Sequence, residues 1–157
     1  MVTLQPMSEE DYQAFLEPAT AEYAQGHVED GQWSADEALQ RAREDFHRLL
    51  PDGVNTPNHY LFTLVNDEHQ KVGMIWFTMR EGPSAPFAWI YDVRIEEAFR
   101  RRGYAQEAFA QLEPKVKALG GNKISLHVFG NNHGARDLYA KLGYIETNVQ
   151  MSKTLES

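Results

Sequence analysis

The sequence predicts an α/β (α+β) fold in which a mixed, mostly antiparallel sheet is flanked by helices. Three strand-like runs separated by turn-rich segments occupy residues 59–95, a succession typical of an antiparallel meander. Apolar residues recur at spacings of three and four in residues 105–119, which predicts a helix. With 157 residues, 42% of them hydrophobic, the chain has the size and composition of one globular domain.

The N-terminal third is predicted to hold a short strand and two helices. The strand covers residues 3–5, and Ser8 is placed to cap the helix that follows. In "SADE" (34–37), Ser34 and Glu37 have the spacing of a capping box, in which each side chain accepts from the backbone N–H of the other residue. This pattern predicts the start of a second helix, which ends before "LLPDG".

The main sheet is predicted to begin with an antiparallel meander. Its strands are "HYLFTLV" (59–65), "KVGMIWFTM" (71–79) and "FAWIYDVRI" (87–95). The helix over residues 105–119 follows, and the paired glycines after it mark its end. Pro114 lies inside this helix and is expected to bend it, because proline lacks the backbone donor.

The C-terminal part is predicted to add a strand, a short helix and one or two closing strands. The strand is "KISLHVF" (123–129), and the helix has Asn132 as its N-cap and Gly143 as its terminator. The closing strands rest on alternating residues in the last segment. These residues are Ile145, Thr147, Val149 and Met151.

Cysteine content and charge exclude several kinds of site and partner. The chain has no cysteine, which excludes disulfides, thiolate metal sites and a covalent cysteine nucleophile. Residues 1–52 carry twelve acidic residues and three arginines, a net charge of −9, within a total of −8. Such a surface repels a phosphate backbone, so we expect no nucleic-acid partner. Neither a signal peptide nor a membrane span is recognisable, and we expect a cytoplasmic protein without a membrane partner.

Against this acidic background, "RRRGYA" (100–105) gathers three arginines beside a glycine. The segment lies between a predicted strand and a predicted helix, so its backbone N–H groups include the unpaired donors of a helical first turn, which can bind an anion. Gly103 can adopt backbone angles denied to other residues, and Ala105 is small enough to keep the approach open. The spacing favours a pyrophosphate.

Two ordered motifs carry a family resemblance. "RRRGYA" resembles the R/Q-x-x-G-x-G/A signature of the GNAT superfamily of N-acetyltransferases, with alanine in place of the commoner second glycine. "NHGARDLYAKLGY" (132–144) resembles the family's N-x-x-A-x-x-L-Y-x-x-x-G-F/Y segment. The resemblance implies a GNAT fold with its sheet splayed at residues 87–95. It also implies one domain, 1–157, with a variable helical region (1–58) and a sheet and cofactor-binding region (59–157).

The resemblance further implies that the protein moves the acetyl group of acetyl-CoA directly to a primary amine of a small molecule or peptide. Tyr139 matches the family tyrosine near the CoA sulfur and is our candidate general acid, with a core position or mere cofactor positioning as the alternatives. Asn132 matches a pantetheine-binding asparagine and equally fits a helix N-cap. The implied cofactor-binding residues are Val93, Arg94, Ile95, Arg100, Arg101, Arg102, Gly103, Tyr104, Ala105, Asn132 and Tyr139.

The general base is less defined by the sequence. Asp92 is our catalytic candidate on the predicted cofactor strand, because burial among "WIYDV" raises a carboxyl pKa toward the range that a base needs. A structural role for Asp92 fits equally well. Glu22, His127 and a chain of water molecules remain as alternatives.

The acceptor is expected to be cationic, since the acidic N-terminal region attracts amines. Polyamines, aminoglycosides and peptide amines stay unranked. Five aromatic residues are candidates for an acceptor pocket or for the core, namely Tyr12, Tyr23, Trp33, Tyr60 and Trp76.

Two other functions remain compatible with the sequence. A non-catalytic acyl-CoA-binding or regulatory module keeps the arginine turn but needs no acid, and an unrelated α/β domain with a basic turn requires both motifs to arise by chance. His127 and His133 have no third ligand at suitable spacing, so we expect no metal. A monomer or a homodimer is expected.

Overall fold

The computed structural model describes residues 1–156 and contains a five-stranded mixed sheet flanked by helices, as predicted. The chain divides into two compact units, residues 1–127 and a second unit that begins at Val128. No helix in residues 1–156 combines the length and the apolar content that crossing a membrane requires. The elements are β1 (Thr3–Pro6), α1 (Glu9–Glu29), α2 (Ala35–Leu49), β2 (His59–Val65), β3 (Lys71–Arg80), β4 (Phe87–Ile95), α3 (Tyr104–Ala118), β5 (Ile124–Leu126) and α4 (His133–Lys141).

The two N-terminal helices begin at the predicted residues, but only the first has the predicted capping hydrogen bond. Ser8 Oγ accepts from the backbone N–H of Asp11 at 3.1 Å, which confirms the first cap. Ser34 is the N-cap of α2, yet its side chain makes no capping hydrogen bond, so the predicted capping box is wrong. The carboxylate of Glu37 instead pairs with Arg41 one turn later, at 3.3 Å.

The sheet has the strand order β1-β2-β3-β4-β5. Neighbouring strands pair antiparallel except β4 and β5, which are parallel. The predicted meander of β2, β3 and β4 is therefore confirmed. Parallel pairing follows from the connection, because α3 carries the chain from the end of β4 back to the start of β5.

Helices cover both faces of the sheet. α1 and α2 pack on one face, where Tyr12, Phe46 and Trp76 belong to one buried cluster. α3 covers the other face, and its Lys115 lies 5.1 Å from the ring centroid of Phe62. The buried stripe of α3 consists of Ala108, Phe109, Leu112 and Val116. α3 continues through Pro114 and ends at Ala118, so Leu119, predicted as a stripe member, caps the helix and is 40% exposed.

Two predictions for the C-terminal part are corrected. The strand predicted over 123–129 contains only Ile124–Leu126. The closing strands are absent from residues 144–156, where Ile145 and Met151 are 82% and 88% exposed. A segment in which apolar residues alternate with other residues has the side-chain pattern of a strand. It forms a strand only where a neighbouring backbone hydrogen-bonds with it.

Gly73 allows β3 to approach the end of β4 closely, because it has no side chain. A Cβ on Gly73 would collide with the carbonyl oxygen of Arg94. We expect Gly73→Ala to lower the free energy of unfolding by about 1 to 3 kcal/mol, because neither backbone can shift freely. Urea unfolding measures the loss. Gly134→Ala is the control, since nothing lies within 4 Å of that Cβ; equal losses in both variants would contradict the close-packing argument.

Candidate active site

A β-bulge in β4 is the centre of the site. Trp76 pairs with Asp92 and Phe77 pairs with Ile90, so Tyr91 is an extra residue in β4. A bulge places two successive side chains on one side of the sheet. Accordingly, the ring of Tyr91 stacks on Trp76 at 4.5 Å, while the Asp92 carboxylate belongs to an ion-pair cluster on the same face.

The sheet opens directly after the bulge. Pairing between β4 and β5 ends at Ile90 and Leu126, whereas residues 92–95 keep their pairing to β3. The edge of β4 that β5 covers at Ala88–Ile90 is thus not covered by β5 at residues 92–95. This divergence is the predicted splay, and it leaves the edge of β4 at Val93, Arg94 and Ile95 uncovered by β5.

The arginine turn follows β4 and ends in α3. Arg101 has a φ of 65° and Gly103 a φ of 80°, so two residues of the turn lie in the left-handed region. For a non-glycine residue this backbone costs about 1 to 3 kcal/mol, a strain that is concentrated at functional sites. Within residues 1–156, the backbone N–H groups of 101–105 donate to no protein acceptor. The position of a Cβ on Gly103 is open space, so an anion can approach these N–H groups.

The three arginine side chains have different surroundings. Nε of Arg100 donates to the carbonyl oxygen of Ile95 at 2.9 Å and so ties the turn to the end of β4. The guanidinium of Arg102 lies 5.5 Å from the ring centroid of Phe99. Arg101 is exposed. The backbone of the turn therefore supplies the fixed donors, and the side chains add positive charge around them.

Two of the three candidate bases meet at one cation. Nη2 of Arg94 lies 2.5 Å from Glu22 on α1 and 3.5 Å from Asp92. Burial raises the pKa of Asp92; Arg94 opposes that rise, and the charge of Glu22 adds to it. Nε of Arg94 is buried and, in the described part of the chain, has no hydrogen-bond partner, so it is a donor that a bound ligand or water can satisfy.

Beside this cluster lies a group of aromatic and cationic side chains, of which the sequence analysis considered only Trp76. His59 stacks on Tyr91 at 5.7 Å and accepts, at Nδ1, from Nε1 of Trp76 at 3.0 Å. Burial lowers the pKa of His59, and the charge of Arg80 lowers it further. Arg80 donates to the Tyr91 hydroxyl at 3.1 Å. Only the bulge turns Tyr91 toward these residues, and strict alternation would have separated it from Asp92.

The five aromatic residues considered for an acceptor pocket divide between core and partly exposed positions. Tyr12 and Trp76 are 6% and 2% exposed and belong to the core. Tyr60 is half-buried and stacks on Phe77 at 5.0 Å. Tyr23 and Trp33 are half-buried and pack edge to face at 5.6 Å. Burial, followed by the nearby Asp45, raises the pKa of Tyr23 to about 12.

The second motif lies in the second unit. Oδ1 of Asn132 accepts from the backbone N–H of Ala135 at 3.2 Å, so Asn132 does cap α4. Tyr139 lies on α4, half-buried, with its ring 5.8 Å from that of Tyr144.

Two predictions remain, namely His127 as a candidate base and the absence of a metal site. His127 directly follows β5 and is exposed. Residues 1–156 contain no group of three or more His, Cys, Asp or Glu side chains arranged to hold a metal ion.

Comparison with known proteins identifies the family. A sequence model of the Acetyltransferase (GNAT) family matches residues 15–144. The uncharacterized N-acetyltransferase YycN of Bacillus subtilis is 38% identical over 154 residues, covering 98% of this chain and 99% of YycN. The uncharacterized N-acetyltransferase YdgE of the same organism is 33% identical over 153 residues, covering 98% of each chain.

Solved structures share the fold. The crystal structure of YycN, at 37% identity, matches with a TM-score of 0.94 over the full length of both chains. The aminoglycoside antibiotic 6'-N-acetyltransferase AAC(6')-Ih of Acinetobacter baumannii has a TM-score of 0.57 at 18% identity, covering 99% of this chain and 100% of its own, a likeness of fold alone. Together with the splayed strand and the arginine turn, these matches show that the chain belongs to the GNAT acetyltransferase family and is an N-acetyltransferase.

Proposed function

We propose that this enzyme transfers the acetyl group of acetyl-CoA directly to a primary amine of a small molecule or peptide. The observation that carries the proposal is the continuous path from the β4 bulge, along the uncovered edge of residues 92–95, to the free N–H groups of the arginine turn. An extended ligand with a pyrophosphate at one end and a thioester at the other has the chemistry that this path accommodates.

In this proposal the turn binds the pyrophosphate. Backbone N–H groups of residues 101–105, including those of Gly103, Tyr104 and Ala105, donate to phosphate oxygens, and Arg101 and Arg102 add positive charge. Peptide groups of residues 93–95 bind the pantetheine arm. For Asn132 we propose a pantetheine contact because it matches the asparagine of the second family motif. The thioester then lies near the bulge, beside Tyr91 and Asp92.

The proposed reaction needs no covalent enzyme intermediate. Asp92 accepts a proton from the ammonium form of the acceptor, and the nitrogen lone pair attacks the thioester carbonyl carbon to form a C–N bond. The C–S bond breaks, and the phenol of Tyr139 protonates the thiolate. The nitrogen, now bonded to the carbonyl carbon, loses its second proton to solvent. Asp92 releases its proton to solvent and the phenolate of Tyr139 takes one up, so that an amide and free CoA leave and both residues return to their starting states.

The proposed acceptor is attracted by charge. Residues 1–52, which include β1, α1 and α2, carry a net charge of −9. The Glu22 side chain is 66% exposed beside Arg94. These charges draw an ammonium group toward the face of β4 that holds Asp92. We also propose that residues 1–157 act as one catalytic domain and that the reaction takes place in the cytoplasm.

Tyr139→Phe tests the proposed acid in an assay of amine-dependent thiol release from acetyl-CoA. We expect kcat to fall by about two to four powers of ten, because a positioned proton donor is lost. Affinity for the cofactor, measured by titration calorimetry, should stay nearly unchanged. Tyr144→Phe is the control, since the family motif accepts either residue there. Unchanged kcat in Tyr139→Phe, or no thiol release from wild type with any amine, would contradict the proposal.

Gly103→Glu tests the proposed pyrophosphate site. The new carboxylate repels the phosphates, and a side chain at a φ of 80° strains the turn, so we expect no measurable CoA binding by calorimetry. Gly120→Glu is the matched control: Gly120 also has a left-handed φ, of 87°, and open space around it, but it follows the opposite end of α3. Equal losses of CoA affinity in both variants would assign the effect to backbone strain.

The pH dependence of kcat/KM tests Asp92 as the base. Burial raises its pKa, so the reactive carboxylate is lost as the pH falls through a value above the usual range for aspartate. Asp92→Asn should lower kcat/KM by about 10²- to 10⁴-fold. Arg94→Met should move the acidic limb to higher pH and Glu22→Gln to lower pH, because Arg94 lowers and Glu22 raises the pKa of Asp92. All four proteins are assayed with the same amine, so the titration of the amine itself affects every pH profile equally. Identical acidic limbs in all four proteins would reject Asp92.

A further inference from the structure

The position of the acceptor follows from the proposed function. If the thioester lies near the bulge, the amine approaches on the α1 face, where the Tyr91 ring lies between two oppositely charged groups. The cluster of Glu22, Asp92 and Arg94 lies toward the end of β4. Arg80, from the end of β3, reaches over the earlier half of β4.

Arg80 is a cation held in place without a carboxylate partner. Its guanidinium lies 4.4 Å from the ring centroid of Trp89 and 5.7 Å from that of Tyr91, and it donates to the Tyr91 hydroxyl. No carboxylate within the described residues, 1–156, lies within 4.0 Å of it. Three aromatic and hydroxyl contacts thus orient Arg80, while its exposed surface retains donors for a ligand.

His59 supplies a second N–H donor beside the ring of Tyr91, on which it stacks at 5.7 Å. The indole N–H of Trp76 can only donate, so Nδ1 of His59 must carry the lone pair and the neutral ring has its proton on Nε2. Burial and the charge of Arg80 favour this neutral form. His59 is therefore a fixed N–H donor and does not serve as a base at Nε2.

We propose that Arg80 and the Nε2–H of His59 bind a carboxylate of the acceptor, so that the substrate is an amino acid or a similar amine that carries a carboxylate. This inference rests on the proposed function, because it assigns the acceptor end of the same site. The acceptor's amine lies toward Asp92 and Glu22, and its carboxylate lies toward Arg80, on opposite sides of Tyr91. A polyamine is disfavoured, because its second ammonium group would lie against the Arg80 guanidinium.

Pairs of amines that differ only by a carboxylate test this inference. We would measure kcat/KM by thiol release for L-lysine against cadaverine, L-ornithine against putrescine, and L-alanine against ethylamine. The carboxylated member of the accepted pair should be preferred by about 10- to 100-fold, the range of one or two hydrogen bonds to a charged group.

The Arg80 variants locate the preference. In Arg80→Met the ratio of the two kcat/KM values should fall toward one, and Arg80→Lys should restore part of it. Arg41→Met is the matched control, because Arg41 also lies on an aromatic ring, 4.9 Å from that of Trp33, but on α2; its ratio should match wild type.

The outcomes separate the two proposals. Equal rates for both members of every pair, a preference for the decarboxylated members, or a ratio unchanged in Arg80→Met would overturn the carboxylate site and leave the transferase standing. Absence of thiol release with every amine would overturn the transferase and this inference with it.

Discussion

The extra residue in β4 is the constraint on which the rest of the candidate site depends. Without Tyr91 in the bulge, β4 would alternate regularly, and the Tyr91 ring and the Asp92 carboxylate would lie on opposite faces. The bulge also coincides with the end of the pairing to β5. The same short stretch of β4 therefore has an edge that β5 does not cover and two successive side chains, Tyr91 and Asp92, on the α1 face.

Packing then holds the arginine turn at the end of this strand. The buried stripe of α3, including Phe109 and Leu112, fixes the helix on the sheet, and the turn before it inherits that position. The hydrogen bond from Arg100 to the Ile95 carbonyl joins the turn to β4. The left-handed backbone of Arg101 is tolerated because both flanking elements are fixed. The N–H donors of the turn are thus held in position by hydrophobic residues of α3 that are buried some distance away from the turn.

Electrostatics separates the site into regions of opposite sign. The turn is basic, whereas α1 brings Glu22 to the face where Asp92 lies, with Arg94 between the two carboxylates. Burial alone favours the neutral form of Asp92, and Arg94 limits that effect. Arg94 thus compensates two carboxylates that lie close together, and in the proposed mechanism this balance lets Asp92 accept a proton.

The sequence by itself determined what depends on near neighbours in the chain. The three strands of the meander, the caps at Ser8 and Asn132, the glycine at the turn and both family motifs could be predicted, because each rests on local backbone preferences or fixed spacing. Only the tertiary structure decided what depends on residues distant in the chain. The register shift at Tyr91, the meeting of Glu22 with Arg94 and the hydrogen bond of Trp76 to His59 arise from pairing and packing between elements. Residues 144–156 make the same point: alternation at Ile145 and Val149 predicts a strand, but none forms in these residues, because a strand needs hydrogen-bonding partners elsewhere in the chain.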